Sequence, residues 1–209
     1  MNHNIIINHY EKCFERYGDC AKGVDWPNEE DALKRYRLML SAISQDKYTL
    51  LDIGCGTGKL LELIKQQKYP IQYTGLDLSN LFVDHCKKKF PSNSFIQVDL
   101  LKDDTTHIHP HDLVVMNGVF TEKCELTQKQ MTVYFQALLK KAFHLTKQVL
   151  AFNVMSKLVD WEREDLFHVS FDTLSKFLRD NLSRHFIIRH DYGLYEYTVY
   201  VYKTANEKN

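Results

Sequence analysis

The feature that most constrains this chain is a cluster of glycines directly after a short apolar run. The run covers residues 49–53, and Gly54, Gly56 and Gly58 follow it, which is three of the chain's eight glycines. Glycine allows a tight turn and lets a ligand approach the backbone closely. A helix beginning at Lys59 would present free N–H groups to an anionic ligand group. The pattern therefore favours a nucleotide-type site over a plain connection with chance glycines.

Strands and helices alternate along the chain. Apolar runs bounded by turn residues predict strands, and 3.6-residue spacing predicts helices. The predicted strands cover residues 49–53, 72–78, 95–98, 112–116, 148–154, 185–189 and 195–203, and the predicted helices cover 11–45 in two pieces, 59–67, 80–89, 128–145 and 172–181. Such alternation predicts a parallel sheet with right-handed crossovers. The loop at residues 191–194 is too short for a parallel crossover, so the last two strands must be antiparallel.

The composition of the 209 residues predicts one globular domain with a substantial core, since 44% of the residues are hydrophobic. Lys and Arg total 27, as do Asp and Glu, and this zero net charge weakens a role in tracking nucleic acid. No apolar run reaches the roughly 20 residues that cross a bilayer, and the run at 5–7 is too short for a signal peptide. The five cysteines form no C-x-x-C pair, which predicts reduced thiols in a cytoplasmic protein.

Acidic residues around the glycine cluster indicate which ligand it holds. The spacing is G-x-G-x-G, and Lys59 stands where a dinucleotide fingerprint would have its third glycine. Asp52 precedes the first glycine by two residues, which disfavours a pyrophosphate and favours a ligand with an ammonium and a sulfonium. Asp77 ends the second strand, where its carboxylate can accept both ribose hydroxyls. Asp99 follows the third strand and is placed to accept the adenine amino group.

With these acids, the D-x-G-x-G-x-G motif resembles that of the class I S-adenosylmethionine-dependent methyltransferases. The resemblance covers about residues 26 to 203 and includes the antiparallel last strand. It implies an S-adenosyl-L-methionine cofactor, with Asn117 and Gly118 after the fourth strand supplying backbone contacts to its methionine part. The other cofactor-binding residues that it implies are Asp52, Gly54, Gly56, Gly58, Asp77, Leu78, Asp99 and Leu100.

The N-terminal segment resembles a small-molecule subgroup of that family. Trp26 opens the segment, and Arg35 is followed by an aromatic residue in the helix before the first strand. The resemblance implies that both residues contact the cofactor and that Arg35 pairs with its carboxylate. The alternative is that Arg35 is an ordinary solvated helix residue.

The predicted carboxyl edge of the sheet offers candidate catalytic residues but no clear general base. Asn153 is predicted to end the fifth strand, and any of the candidates could orient or deprotonate an acceptor. The candidates are Asn153, His168, His190, Asp191 and Tyr192. For each of them the alternative is a loop hydrogen-bond partner or a rim residue.

Three alternating histidines, His107, His109 and His111, could in principle bind a metal ion. They precede the fourth strand, at its N-terminal end, whereas ligands of open α/β sheets lie at the carboxyl ends. We therefore expect an exposed loop here, and no metal site is predicted.

Together these patterns predict an α/β fold: a Rossmann-like, seven-stranded, mostly parallel sheet with an antiparallel last strand, helices on both faces and a helical N-terminal cap. We expect a single methyltransferase domain, with the cap at residues 1–46 and the core at 47–204. The expected activity is methyl transfer to an oxygen, nitrogen or carbon of a small-molecule acceptor, without nucleic acid or membrane partners.

Two other function classes stay open at this point. One is a non-catalytic S-adenosylmethionine-binding regulatory or partner protein, because a fold does not fix a function. The other is a nicotinamide-dependent oxidoreductase, although the chain lacks the third fingerprint glycine and a Tyr-x-x-x-Lys pair. No Pro-Pro-Tyr follows the fourth strand, which argues against methylation of DNA adenine or release factors.

Overall fold

The computed structural model describes residues 4–44 and 47–206. The helices are α1 (Asn4–Tyr17), α2 (Glu29–Leu40), α3 (Lys59–Gln66), α4 (Asn80–Lys89), α5 (Gln128–His144) and α6 (Phe171–Asn181), with a 3-10 turn at Ala21–Val24. The strands are β1 (Tyr48–Ile53), β2 (Ile71–Asp77), β3 (Ser94–Gln97), β4 (His111–Met116), β5 (Thr146–Ser156), β6 (His168–Val169), β7 (Phe186–Arg189) and β8 (Glu196–Tyr202). The predicted cap–core boundary at residue 46 and the helix end at 45 lie outside the described residues.

The strands form one sheet in the order β3-β2-β1-β4-β5-β8-β7, and the short β6 pairs with the end of β5. All pairings are parallel except those of β8, which is antiparallel to both β5 and β7. This confirms the predicted fold class. The antiparallel strand lies inside the sheet, between two others, and its residues are therefore buried along almost the whole length.

Two elements differ from the prediction. The strand β6 falls in a stretch predicted to be a loop, because two residues carry no periodic pattern. The strand β5 continues to Ser156 instead of ending near 154, since Met155 and Ser156 pair with β6. Asn153 therefore lies within β5, fully buried, and the expectation that it ends the strand is wrong.

Apolar residues pack on both faces of the sheet. Successive residues of a strand point to opposite faces, so Leu50 and Leu51 of β1 enter different cores. The core around Leu51 contains Phe135 of α5, and the core around Leu50 contains Met39 of α2 and Leu61 of α3. The helices thus cover both faces, as predicted. Among the described residues, no helix is both long and apolar enough to cross a membrane.

A buried ion pair joins the N-terminal helices to the centre of the sheet. The Arg35 guanidinium donates through Nε and Nη2 to the two carboxylate oxygens of Glu196 in β8, with an Nη2–Oε2 distance of 2.8 Å. The Asn153 amide donates to the same carboxylate at 3.2 Å. Arg35 is 6% exposed and Glu196 is 2% exposed. The alternative in which Arg35 is a solvated helix residue is therefore wrong.

We expect Glu196→Ala to lower the free energy of unfolding by about 3–5 kcal/mol, because it leaves a buried guanidinium without its carboxylate. Urea unfolding followed by circular dichroism measures this change. The matched control is the double variant Arg35→Met/Glu196→Leu, which removes both charges and should recover most of the loss. A loss below about 1 kcal/mol in Glu196→Ala would show that the pair does not hold the helices on the sheet.

Candidate active site

A cavity opens at the carboxyl ends of β1, β2 and β4, beneath α1 and the segment around Trp26. The space inside it and at its open mouth is about 1040 Å³. The predicted cofactor-binding residues that line it are Trp26, Gly54, Gly56, Asp77, Leu78, Asp99, Leu100, Asn117 and Gly118.

The glycine loop folds onto the end of β2. The N–H groups of Gly54 and Cys55 both donate to the carbonyl oxygen of Leu76, at 2.8 and 3.0 Å. Gly54 has a φ of +76°, and a Cβ there would lie 2.7 Å from a methyl carbon of Val119. Both the left-handed backbone and the close approach require glycine at this position. The loop therefore brings its backbone next to the residues that follow β4.

The carboxylate of Asp77 lies at the centre of the cavity wall. It accepts the N–H of Gly56 at 2.8 Å and the N–H of Ser79 at 2.9 Å. Burial raises the pKa of Asp77 to about 6. An ionised carboxylate offers about four acceptor positions, and the backbone groups of Gly56, Leu78 and Ser79 use only part of this capacity. Asp77 thus orders the glycine loop and keeps acceptor capacity for a ligand's hydroxyl groups.

The side-chain amide of Asn117 has hydrogen-bonding groups that no described residue uses. Its side-chain oxygen and nitrogen are both buried, and neither has a hydrogen-bond partner among the described residues. A buried amide without partners costs about 1–3 kcal/mol. Because Asn117 lines the cavity, a bound polar ligand could supply the missing partners.

Gly118 connects the cavity wall to the buried ion pair. Its N–H donates to the side-chain oxygen of Asn153 at 2.8 Å. Its φ is +77°, and a Cβ there would lie 2.6 Å from ring carbon Cζ2 of Trp26. The guanidinium of Arg35 lies over the Trp26 ring, with its Cζ atom 4.2 Å from the ring centroid. Trp26 is thus held between Gly118 and Arg35, at the edge of the cavity.

Three predicted cofactor-binding residues do not line the cavity. Asp52 is buried beside the sheet and accepts the hydroxyl of Tyr73 at 2.8 Å, and burial raises its pKa to about 7. Gly58 has a φ of +74° and caps the start of α3. Arg35 lies behind Trp26, with Nη1 buried and unpartnered among the described residues. In this structure all three support the cavity from behind its lining.

The candidate catalytic residues also lie outside the cavity lining. Asn153 is behind Gly118, and the buried His168 has its Nδ1 2.6 Å from the carbonyl oxygen of Ser156. Asp191 is exposed and pairs with Arg189, His190 is exposed, and the hydroxyl of Tyr192 contacts that of Thr198. The structure therefore brings none of these five residues to the cavity.

The contribution of α1 to the cavity lining was not predicted from the sequence. Ile6, Ile7 and Tyr10 line the cavity, and the Tyr10 hydroxyl donates to the carbonyl oxygen of Gly118 at 3.4 Å. The helix begins at Asn4, seven residues before the predicted start. The helical spacing of Ile6, Tyr10, Cys13 and Tyr17 was the available signal.

Polar contacts fix α1 and the following turn over the cavity. Glu11 accepts the hydroxyl of Ser79 at 2.6 Å. Asp19 pairs with Lys59 of α3 at 3.2 Å and with Lys89 of α4. Although burial opposes it, the hydrogen bond from Lys89 and the charge of Lys59 lower the pKa of Asp19 to about 2. We call α1 and the turn that follows it the roof of the cavity. The roof is thus attached to both α3 and α4.

Comparisons with known proteins agree with this architecture. The family model of a methyltransferase domain matches residues 51–148. A Mycobacterium tuberculosis protein named as a methyltransferase is 25% identical over 165 residues, which is 77% of this chain and 96% of that protein.

Solved structures show the same fold. The magnesium protoporphyrin IX methyltransferase of Synechocystis PCC 6803, with bound S-adenosylmethionine, superposes with a TM-score of 0.66 at 15% identity and covers 98% of each chain. The 1,6-didemethyltoxoflavin-N1-methyltransferase of Burkholderia thailandensis also gives a TM-score of 0.66 at 15% identity, and covers 98% of this chain and 91% of that one.

The strand order, the glycine loop and the acids after β2 and β3 define a methyltransferase fold of the Rossmann-like type. The match to the methyltransferase domain over residues 51–148 and the shared fold agree with the resemblance to the class I S-adenosylmethionine-dependent methyltransferases. The resemblance read from the sequence is thereby confirmed.

We expect Asp77→Asn to weaken S-adenosylhomocysteine binding at least tenfold, as measured by calorimetric titration. The change removes the negative charge that strengthens hydrogen bonds from ribose hydroxyls, each worth about 1.5–3 kcal/mol. The matched control is Asp84→Asn, which changes an exposed carboxylate on α4. Equal affinities in Asp77→Asn and the native protein would show that Asp77 does not hold the ligand.

The affinity of the native protein for S-adenosylhomocysteine should also decrease as the pH is lowered. Because the pKa of Asp77 is raised to about 6, the ionised acceptor that binds hydroxyls is mostly present at about pH 7.5 and mostly lost at about pH 5. Titrations across this range should show weaker binding below pH 6, and a smaller change in Asp77→Asn. The same pH dependence in both proteins would contradict this assignment.

Proposed function

We propose that this protein transfers the methyl group of S-adenosylmethionine to an oxygen, nitrogen or carbon of a small-molecule acceptor. The observation that carries the proposal is the buried, unpartnered amide of Asn117 beside the glycine loop and Asp77. These groups meet at one cavity, and the amide of Asn117 has hydrogen-bonding capacity that the described protein does not use. An adenosine with an amino-acid tail offers the complementary donors and acceptors.

We assign the two ends of the cofactor to opposite parts of the cavity. The ribose hydroxyls would donate to Asp77, and the adenine would lie against Leu78 and Leu100 with its amino group near Asp99. The methionine part would lie along Gly54, Gly56 and Gly118, with its polar groups bonded to the amide of Asn117. The positions of these residues around one cavity support this assignment.

Catalysis then depends chiefly on position. When bound, S-adenosylmethionine supplies an activated methyl group on its sulfonium. The backbone after β4 and the roof residue Tyr10 would hold the acceptor in line with that methyl, and Trp26 and the apolar side chains of α1 would exclude water. A strong general base is not needed for this displacement, which is consistent with a lining that lacks the five candidates at the sheet edge.

The roof over the cavity favours a small acceptor. Ile6, Ile7 and Tyr10 close the cavity from above, and they leave an apolar surface suited to a compact molecule. The two structural neighbours are named for small acceptors, a magnesium porphyrin and a toxoflavin precursor. The five cysteines are all free, and on this basis we propose a cytoplasmic protein.

Incubation with labelled S-adenosylmethionine and a panel of small metabolites tests the function. We expect labelled product together with stoichiometric S-adenosylhomocysteine, and at least a tenfold lower rate in Asn117→Ala. Asn80→Ala, which changes an exposed amide on α4, is the matched control. Tight cofactor binding without any product across the panel would instead favour the non-catalytic binding protein.

The roof should close on the cofactor. The polar contacts that attach α1 are partly exposed to water, and such contacts open more readily than a buried core. We expect hydrogen exchange of residues 10–37 to slow when S-adenosylhomocysteine binds, and Trp26→Ala to lower affinity more than melting temperature. Identical exchange in the free and bound protein would show that the segment is a static layer.

A further inference from the structure

Three metal-ligating side chains meet on the outer side of the roof. His9 and Cys13 are four residues apart in α1 and therefore share one face of the helix. Asp25 follows the 3-10 turn, and its Oδ2 lies 2.7 Å from Nε2 of His9. The Cys13 sulfur lies 4.0 Å from the same nitrogen. All three ligand atoms lie within 4.8 Å of one another.

The turn that brings Asp25 back to α1 has a demanding backbone. Gly18 has a φ of +69°. A Cβ on Gly23 would lie 1.8 Å from the carbonyl oxygen of Gly18. Asp25 itself is left-handed, with a φ of 58°. A non-glycine residue in this region is uncommon and strained. The chain thus holds the Asp25 carboxylate against α1 at some conformational cost.

We propose that His9, Cys13 and Asp25 bind a zinc ion. An imidazole nitrogen, a thiolate and a carboxylate are the three donor types that Zn²⁺ takes in proteins, and three protein ligands leave one position of the tetrahedron for water. The side chains of His9 and Asp25 are 35% and 39% exposed, so a hydrated ion can reach them. As the ion binds, the His9–Asp25 hydrogen bond breaks, and Cys13 releases its thiol proton to solvent water as its sulfur bonds to the metal.

A second carboxylate supports the presence of a cation. Glu122 is 9% exposed. It lies within electrostatic range of Asp25 and His9. Arg163, which also acts on Glu122, is already paired with Asp165. A bound dication would offset this concentration of negative charge.

The site has a direct connection to the cavity. Tyr10 is adjacent to His9 in the chain and lines the cavity, as does Trp26, which follows Asp25. A metal ion at this position would join α1 to the turn that carries Trp26. We therefore assign the ion a structural role, in which it holds α1 against the turn that carries Trp26. The methyl-transfer chemistry does not require this ion.

Cobalt titration of the full-length, chelator-treated protein tests the site. Co²⁺ replaces Zn²⁺ and gives a thiolate-to-metal charge-transfer band when cysteine is a ligand. We expect one Co²⁺ per chain, a band that is lost in Cys13→Ser, and displacement of Co²⁺ by Zn²⁺. Cys20→Ser changes another half-buried cysteine of the same segment and is the matched control.

His9→Ala and Asp25→Asn should each weaken zinc affinity at least tenfold in calorimetric titrations. Asparagine tolerates the left-handed backbone, so Asp25→Asn separates ligand loss from misfolding. The absence of a charge-transfer band, its survival in Cys13→Ser, or its loss in Cys20→Ser would overturn the proposal. None of these measurements uses the cofactor, so their outcome is independent of the methyltransferase activity.

Discussion

The buried ion pair between Arg35 and Glu196 connects α2 and Trp26 to the cavity wall that follows β4. Glu196 also accepts from Asn153, Asn153 accepts the N–H of Gly118, and Trp26 packs between Gly118 and Arg35. These contacts form a closed ring through α2, β8, β5 and the loop after β4. Because a buried charge is tolerated only when it is paired, the ring holds α2 and Trp26 against the cavity wall that follows β4.

The cavity itself is built from groups that are costly to bury without a ligand. The raised pKa of Asp77 and the unpartnered amide of Asn117 both reflect burial that the protein alone does not compensate. Binding a ligand with hydroxyl and charged groups recovers part of this cost. In the proposed binding mode, the same residues that are costly to bury would favour the cofactor and set where its two ends lie.

Local patterns predicted the glycine loop, Asp77 and Asp99, because these residues follow strands whose apolar runs are visible in the sequence. Long-range contacts could not be predicted in this way. The partner of Arg35 lies 161 residues away, and the part of β5 that extends past Asn153 pairs with both β6 and β8. Asp52 belongs to the motif, but its side chain bonds to Tyr73 of the neighbouring strand, a contact that depends on strand register. How the first helix covers the cavity likewise depends on tertiary packing.

A crystal structure with bound S-adenosylhomocysteine tests the central claim most directly. We expect the ribose hydroxyls to lie within hydrogen-bonding distance of the Asp77 carboxylate and the adenine to lie beside Asp99 and Leu100. The amide of Asn117 should bond to the methionine part. The chain of contacts from Arg35 to Trp26 should be retained. A ligand bound elsewhere, or bound with the Asn117 amide still unpartnered, would contradict this claim.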